Sequence, residues 1–159
     1  MKKEDIRNTV TYNKLLSYIF IFGVFSFIIL LFLIGMITSD YGAAIFMSVF
    51  LLVVILTFVI YYIYELRTIM KVAKTFEKCI GRVSTVTNGH YLNTSELVVT
   101  FKDFMNEEHR MKSHNMFAIH EIGDYMDKDI IIYYSKEYPK VLIGKLITEE
   151  SSIDDPYKL

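Results

Sequence analysis

The stretch that decides the fold is residues 15–38, LLSYIFIFGVFSFIILLFLIGMIT, followed almost at once by residues 41–64, YGAAIFMSVFLLVVILTFVIYYIY. No charged side chain falls between Lys14 and Asp40, and none again before Glu65. At ~1.5 Å of rise per residue, a helix over either run exceeds the ~30 Å hydrocarbon core of a bilayer. Both runs are rich in β-branched residues, but a lone strand in lipid leaves its backbone polar groups unpaired, so helices are the expected form. The first run is too long for the apolar region of a secretory signal, about 7 to 15 residues, and it leads into a second span, so no cleavage is expected.

Composition agrees with a membrane protein. The 159 residues are 53% hydrophobic, against about 45 to 50% in soluble domains. The 17 basic and 18 acidic side chains nearly cancel, so their placement carries the information. Lys2, Lys3, Arg7 and Lys14 precede the first span; Arg67, Lys71, Lys74, Lys78 and Arg82 follow the second; the connection Thr38-Ser39-Asp40-Tyr41-Gly42 has no basic residue. The positive-inside rule then puts both termini in the cytoplasm of a two-span cell-membrane protein. Tyr18, Tyr61, Tyr62 and Tyr64 fit an aromatic belt at that interface. Gly35, Gly42, Ala43 and Ala44, with an Ala44/Ser48 small-xxx-small pair, would let the helices approach each other near the outer turn, and a homo-oligomer is a further use of such a face. Neither span contains Asp, Glu, Lys, Arg or His, so the marks of an ion path or proton relay are missing.

After Glu65 the apolar residues Leu66, Ile69, Met70, Ala73 and Phe76 recur at spacings of three and four, while Arg67, Lys71, Lys74 and Lys78 recur on another face. The pattern predicts an amphipathic juxtamembrane helix over 65–78. Its basic stripe is either solvated or in contact with anionic lipid headgroups, and these four residues are the candidate binding residues. The charge balance then reverses: residues 65–82 carry five basic and two acidic side chains, residues 83–159 eight basic and thirteen acidic. Phosphate contact needs a basic face, so nucleic acid is not an expected partner.

After Gly81 the helical pattern stops and strand signals begin. Leu97, Val99 and Phe101 alternate with Glu96, Val98, Thr100 and Lys102, which assigns the first set to a core. Strands are expected near 80–87, 95–102, 110–117, 129–134 and 141–147, with turns at Asn88-Gly89 and at 103–108. The expected architecture is a two-helix transmembrane hairpin followed by a small cytoplasmic all-β domain of about five strands, an open sheet or a small barrel. The segments are thus 1–14 cytoplasmic, 15–38 and 41–64 membrane-spanning, 65–78 juxtamembrane, 79–147 the β domain and 148–159 a flexible acidic tail.

Gly81-Arg82-Val83, the apolar run 97–101 ending in Phe101, Gly123-Asp124, the alternation 130–134 ending in Tyr134, and Pro139 before 141–143 occur in that order. In this order of features the chain resembles the DUF3592 group, membrane proteins of unassigned function whose transmembrane helices precede a small β domain. The resemblance spans residues 79–147. It departs at Gly123-Asp124, which lies about three residues upstream of its expected place, where Asp127-Lys128 stands. It implies architecture and, with the Ile-, Lys- and Tyr-rich composition, a bacterial host; it brings no catalytic residues.

The reactive side chains form no recognisable constellation. His90, His109, His114 and His120 lack metal-ligand spacing, and on one strand His109 and His114 would face opposite ways; they read as solvated loop or edge residues. Cys79 reads as a structural thiol in place of a nucleophile. Asp124, Asp127 and Asp129 lack the glycine and terminal Glu of a calcium loop. No catalytic residue, metal site or cofactor is expected, and the chain does not read as an enzyme. Two functions stay open: a membrane-anchored interaction or regulatory module that offers its β domain to a protein partner, or an immunity protein that protects against a membrane-active toxin or bacteriocin.

Overall fold

A computed structural model of the chain describes residues 3–37, 42–88 and 94–146. Two compact units are present. One is Lys14–Ile69; the other joins the described parts of Met1–Asn13 and Met70–Leu159.

The first unit is a helical hairpin made from α2 (Val10–Ile37) and α3 (Gly42–Lys71), both long and apolar enough to cross a membrane. Apolar side chains cover these helices on all sides and stay outward: Phe20 and Phe46 are each 72% exposed. A helix that is apolar all round and still exposed needs an apolar surrounding. The two helices meet through aromatic rings. Tyr18 stacks on Tyr62 at 5.4 Å and Phe22 on Phe58 at 5.7 Å, steps that run in opposite chain directions. The expected glycine contact is not what joins them: a methyl group placed on Gly35 or Gly42 meets no heavy atom within 4 Å. Tyr18 and Tyr62 therefore spend ring surface between helices, whereas Tyr61 and Tyr64 are exposed.

The helix expected over 65–78 is divided. α3 stops at Lys71, a 3-10 turn covers Ala73–Thr75, and Phe76 is already extended. The Thr75 hydroxyl donates to the Val72 carbonyl at 2.8 Å and shares a 2.7 Å hydrogen bond with Ser135, so it caps a helix-end carbonyl and fixes the turn to the sheet. Spacings of three and four persist through such a turn, which is why the sequence reads as unbroken helix.

The second unit is a six-stranded antiparallel sheet, β1 (Glu77–Asn88), β2 (Thr94–Lys102), β3 (Glu108–Lys112), β4 (Phe117–Ala118), β5 (Asp129–Tyr134) and β6 (Leu142–Leu146). The order is β3-β2-β1-β5-β6, with β4 on the start of β2. The strand expected over 110–117 is thus two short strands, and a helix α4 (Ile119–Tyr125) that the pattern did not announce follows them. β1 is central because it pairs with β2 along 81–88 and with β5 along 77–82. A bulge at Ser84 and another opposite Ile131 bend the sheet.

Leu97, Val99 and Phe101 lie on the core side, as the alternation requires, with Ile130, Ile132, Val141, Leu142 and Ile143; Val98, expected on the other face, is buried as well, so the alternation breaks in the middle of β2. Gly81 makes this curl possible, since a Cβ there would lie 2.5 Å from Val99 Cγ1. The curl brings the N–H of Val141, just before β6, to the carbonyl of Lys112 in β3 at 3.0 Å. That is one bond between outer strands and not a ladder, so the sheet is open and no barrel closes.

The described residues up to Asn13 also belong to this unit. α1 (Lys3–Arg7) buries Ile6 completely. Thr9 caps α2 by accepting the Tyr12 N–H at 3.1 Å, and Thr11 Oγ1 accepts the N–H of Ile143 at 2.8 Å. A free edge of β6 is thereby covered from outside the 79–147 region. The Gly89 half of the Asn88-Gly89 turn and the tail from 148 lie outside the described residues.

Candidate functional site

The four candidate lipid-contact residues are all exposed, but they do not share one helix face. Arg67 and Lys71 are four apart on α3, Lys74 is in the 3-10 turn and Lys78 is the second residue of β1. A collar therefore forms along the chain as it passes from helix to sheet.

Antiparallel pairing of β1 and β2 brings the turn at 103–107 to the end of the sheet where β1 starts. There Glu77, Lys78, Cys79, Ile80, Lys102, Asp103 and Phe104 line an open groove of about 360 Å³. The turn is held from inside. The Asp103 carboxylate is fully buried; its Oδ1 accepts the N–H groups of Met105 and Glu107, both at 2.9 Å, and its Oδ2 meets His109 Nε2 at 3.0 Å. Burial alone would push this carboxyl up, but the bonds from His109 and from the two backbone N–H groups outweigh it and hold it below its ordinary value. Asn106 takes φ 64°, which the tight reversal requires. His109 in turn packs against Phe101 and Tyr134 at ring separations of 5.4 and 5.1 Å.

Asp103, Glu107 and His109 bring three ligand-type atoms within 4.8 Å of one another, the one such group among the described residues. The Asp103 carboxylate is engaged by the Met105 and Glu107 N–H groups and by His109 Nε2, so these bonds are those of a turn clamp. Cys79 is half-buried beside it, and burial, followed by the charges of Glu77 and Asp103, pushes its thiol up, away from a reactive thiolate.

The other histidines divide. His114 is buried, not solvated, and its Nε2 lies 2.7 Å from the Tyr138 hydroxyl, with the two rings stacked. It follows the end of β3, so the strand-parity argument does not govern it. His120 is exposed on α4, and His90 lies outside the described residues. Gly123 and Asp124 are inside α4; the reversal before β5 is made at Asp127, φ 57°, and Lys128. Asp124, Asp127 and Asp129 are exposed, and the Asp127 carbonyl accepts the Arg82 Nε–H at 3.1 Å.

The clamp and the His114–Tyr138 pair went unread in the sequence. Asp103 and His109 stand six apart, a spacing with no helical or strand meaning until the turn is known, and His114 and Tyr138 are joined only by the sheet. Comparison with protein-family models, with curated proteins and with solved structures finds no match to this chain.

Proposed function

We propose that the chain is a non-enzymatic, membrane-anchored interaction or regulatory module, with both termini cytoplasmic and the β unit presented at the inner face of the membrane. The observation that carries this reading is the composition of the sheet unit. The segment up to Asn13, which includes the first residues of α2, and the chain from Met70 onward fold together, joined by the Thr11–Ile143 bond, and two ends of a hairpin that share one folded unit belong on one side of a bilayer. The basic residues lie on the chain just outside the spans, where anionic headgroups attract them by about 1 kcal/mol each. Glu121, Asp124, Asp127 and Asp129 place acidic residues in and after α4.

The likeness to the DUF3592 group supports the same architecture. Its features fall in β1, β2, β5 and the approach to β6; the turn before β5 is supplied by Asp127-Lys128 in place of Gly123-Asp124.

The alternative, immunity against a membrane-active toxin, draws on the outward apolar side chains of α2 and α3. A toxin challenge of cells producing the full chain or its Phe101→Ala variant separates the two. Absence of protection by the full chain supports the module; protection by the full chain that the Phe101→Ala variant keeps supports the immunity reading.

A further inference from the structure

Phe104 is 69% and Met105 58% exposed, two large apolar side chains side by side at the tip of the 103–107 turn. Exposed apolar residues scattered singly need no explanation. This pair is different because the turn beneath it is immobilised by the buried Asp103 carboxylate, which holds the backbone of Met105 and Glu107. Its place in the fold is also specific. Gly81 pairs with Phe101 and Glu77 with Tyr134, so the tip stands at the end of the sheet that receives the chain from α3. Residues 72–76 separate Lys71 from Glu77, and even fully extended they reach only about 20 Å.

We propose that Phe104 and Met105 form a second membrane contact, entering the headgroup region of the leaflet from which α3 emerges; this rests on the membrane-anchored reading above. The covalent link through residues 72–76 keeps this end of the sheet near the leaflet from which α3 emerges, and on the membrane-anchored reading a lipid surface is the apolar surrounding available there, so lipid is the occupant proposed in place of a protein partner. The nearby charges are mixed, with Lys78 and Lys102 exposed beside Glu77 and Glu107. Apolar insertion to the interface depth used by amphipathic segments therefore supplies the contact, with no requirement for anionic lipid.

The chain has no tryptophan, so single replacements report locally. Phe104→Trp, Phe27→Trp in α2 and His120→Trp in α4 are made in the full chain and reconstituted in phosphatidylcholine bilayers with and without brominated acyl chains. α4 follows β4, which pairs with the start of β2, roughly 25 Å along the strand from Lys102. Bromolipid is expected to quench Phe104→Trp most when the bromines are shallow, Phe27→Trp most when they are deep, and His120→Trp not at all. Met105→Trp repeats the reading if Phe104→Trp fails to fold. A quenched Phe27→Trp beside an unquenched Phe104→Trp overturns the proposal and leaves the anchor standing. Blue-shifted but unquenched Phe104→Trp also overturns it, since protein then covers the tip, as does quenching of His120→Trp. If Phe27→Trp is unquenched, the membrane reading itself fails and takes this contact with it.

Discussion

A buried carboxylate is stable only where donors replace the water it has lost, and at Asp103 two backbone N–H groups and one imidazole do so. Its folded-state pKa is lowered from an unfolded value of about 3.9. Ionised Asp103 therefore stabilises the fold fully above about pH 4, and this contribution is lost as the pH falls through the folded value. Hydrogen exchange checks it: amide protection at Met105 and Glu107 should fall below about pH 4 in the wild type, and Asp103→Asn should show weakened protection already at neutral pH. Full protection in the variant at neutral pH would remove the clamp from the account. In the core, Phe101→Ala should cost ~3–5 kcal/mol, as truncation of a buried aromatic does, while half-exposed Thr100→Ala should cost little. Equal losses in chemical unfolding would mean that β2 has the wrong register. Gly144 adds a backbone constraint, because a Cβ there would lie 2.8 Å from the Ile131 carbonyl oxygen; Gly144→Ala should destabilise by ~1–3 kcal/mol through overpacking.

Among the elements, those legible in the sequence are the ones whose two faces meet different surroundings. β2 alternates because one face meets the core, and the two long helices are legible from the length and apolar composition of their runs. The strand expected over 110–117 breaks for a reason no periodicity carries. Ser113 Oγ accepts the Leu97 N–H at 2.9 Å, while the Ser113 N–H donates to the Leu97 carbonyl at 2.8 Å. A side chain thus stands in for a backbone partner, and the ladder between β2 and β3 ends there. α4 is only seven residues long with Gly123 inside it, too short for helical spacing to show. The sequence pattern assigns residues 1–14 only to a cytoplasmic segment and not to the β unit, because their contribution lies in two hydroxyls, one capping α2 and one closing β6. Thr11→Val keeps the shape but leaves the buried Ile143 N–H unpaired, so it should cost ~1–3 kcal/mol. Thr9→Ala, losing an N-cap, should cost ~1 kcal/mol. If Thr11→Val proves neutral in thermal unfolding, the flank is not part of the β unit's stability.

At the scale of the whole molecule, the membrane-anchored reading proposed above is tested by the side of the bilayer on which the sheet lies. The native Cys79 is an unsuitable reporter. It is half-buried and its thiol is pushed up by burial and by neighbouring carboxylates, so maleimide would react slowly with it on either side of the membrane. Silence at Cys79 would then reflect chemistry as much as topology. The informative variants are Ser39→Cys in the connection between the spans and Lys145→Cys at an exposed position of β6, each in a Cys79→Ser background. With basic residues on both outer flanks and none in the connection, an impermeant maleimide added to intact cells should label position 39 and spare position 145, and lysis should expose position 145 to the reagent. Labelling at 145 in intact cells, with 39 protected, would invert the molecule. It would place the basic collar and the β unit outside, and a cytoplasmic partner could no longer be the one this surface serves.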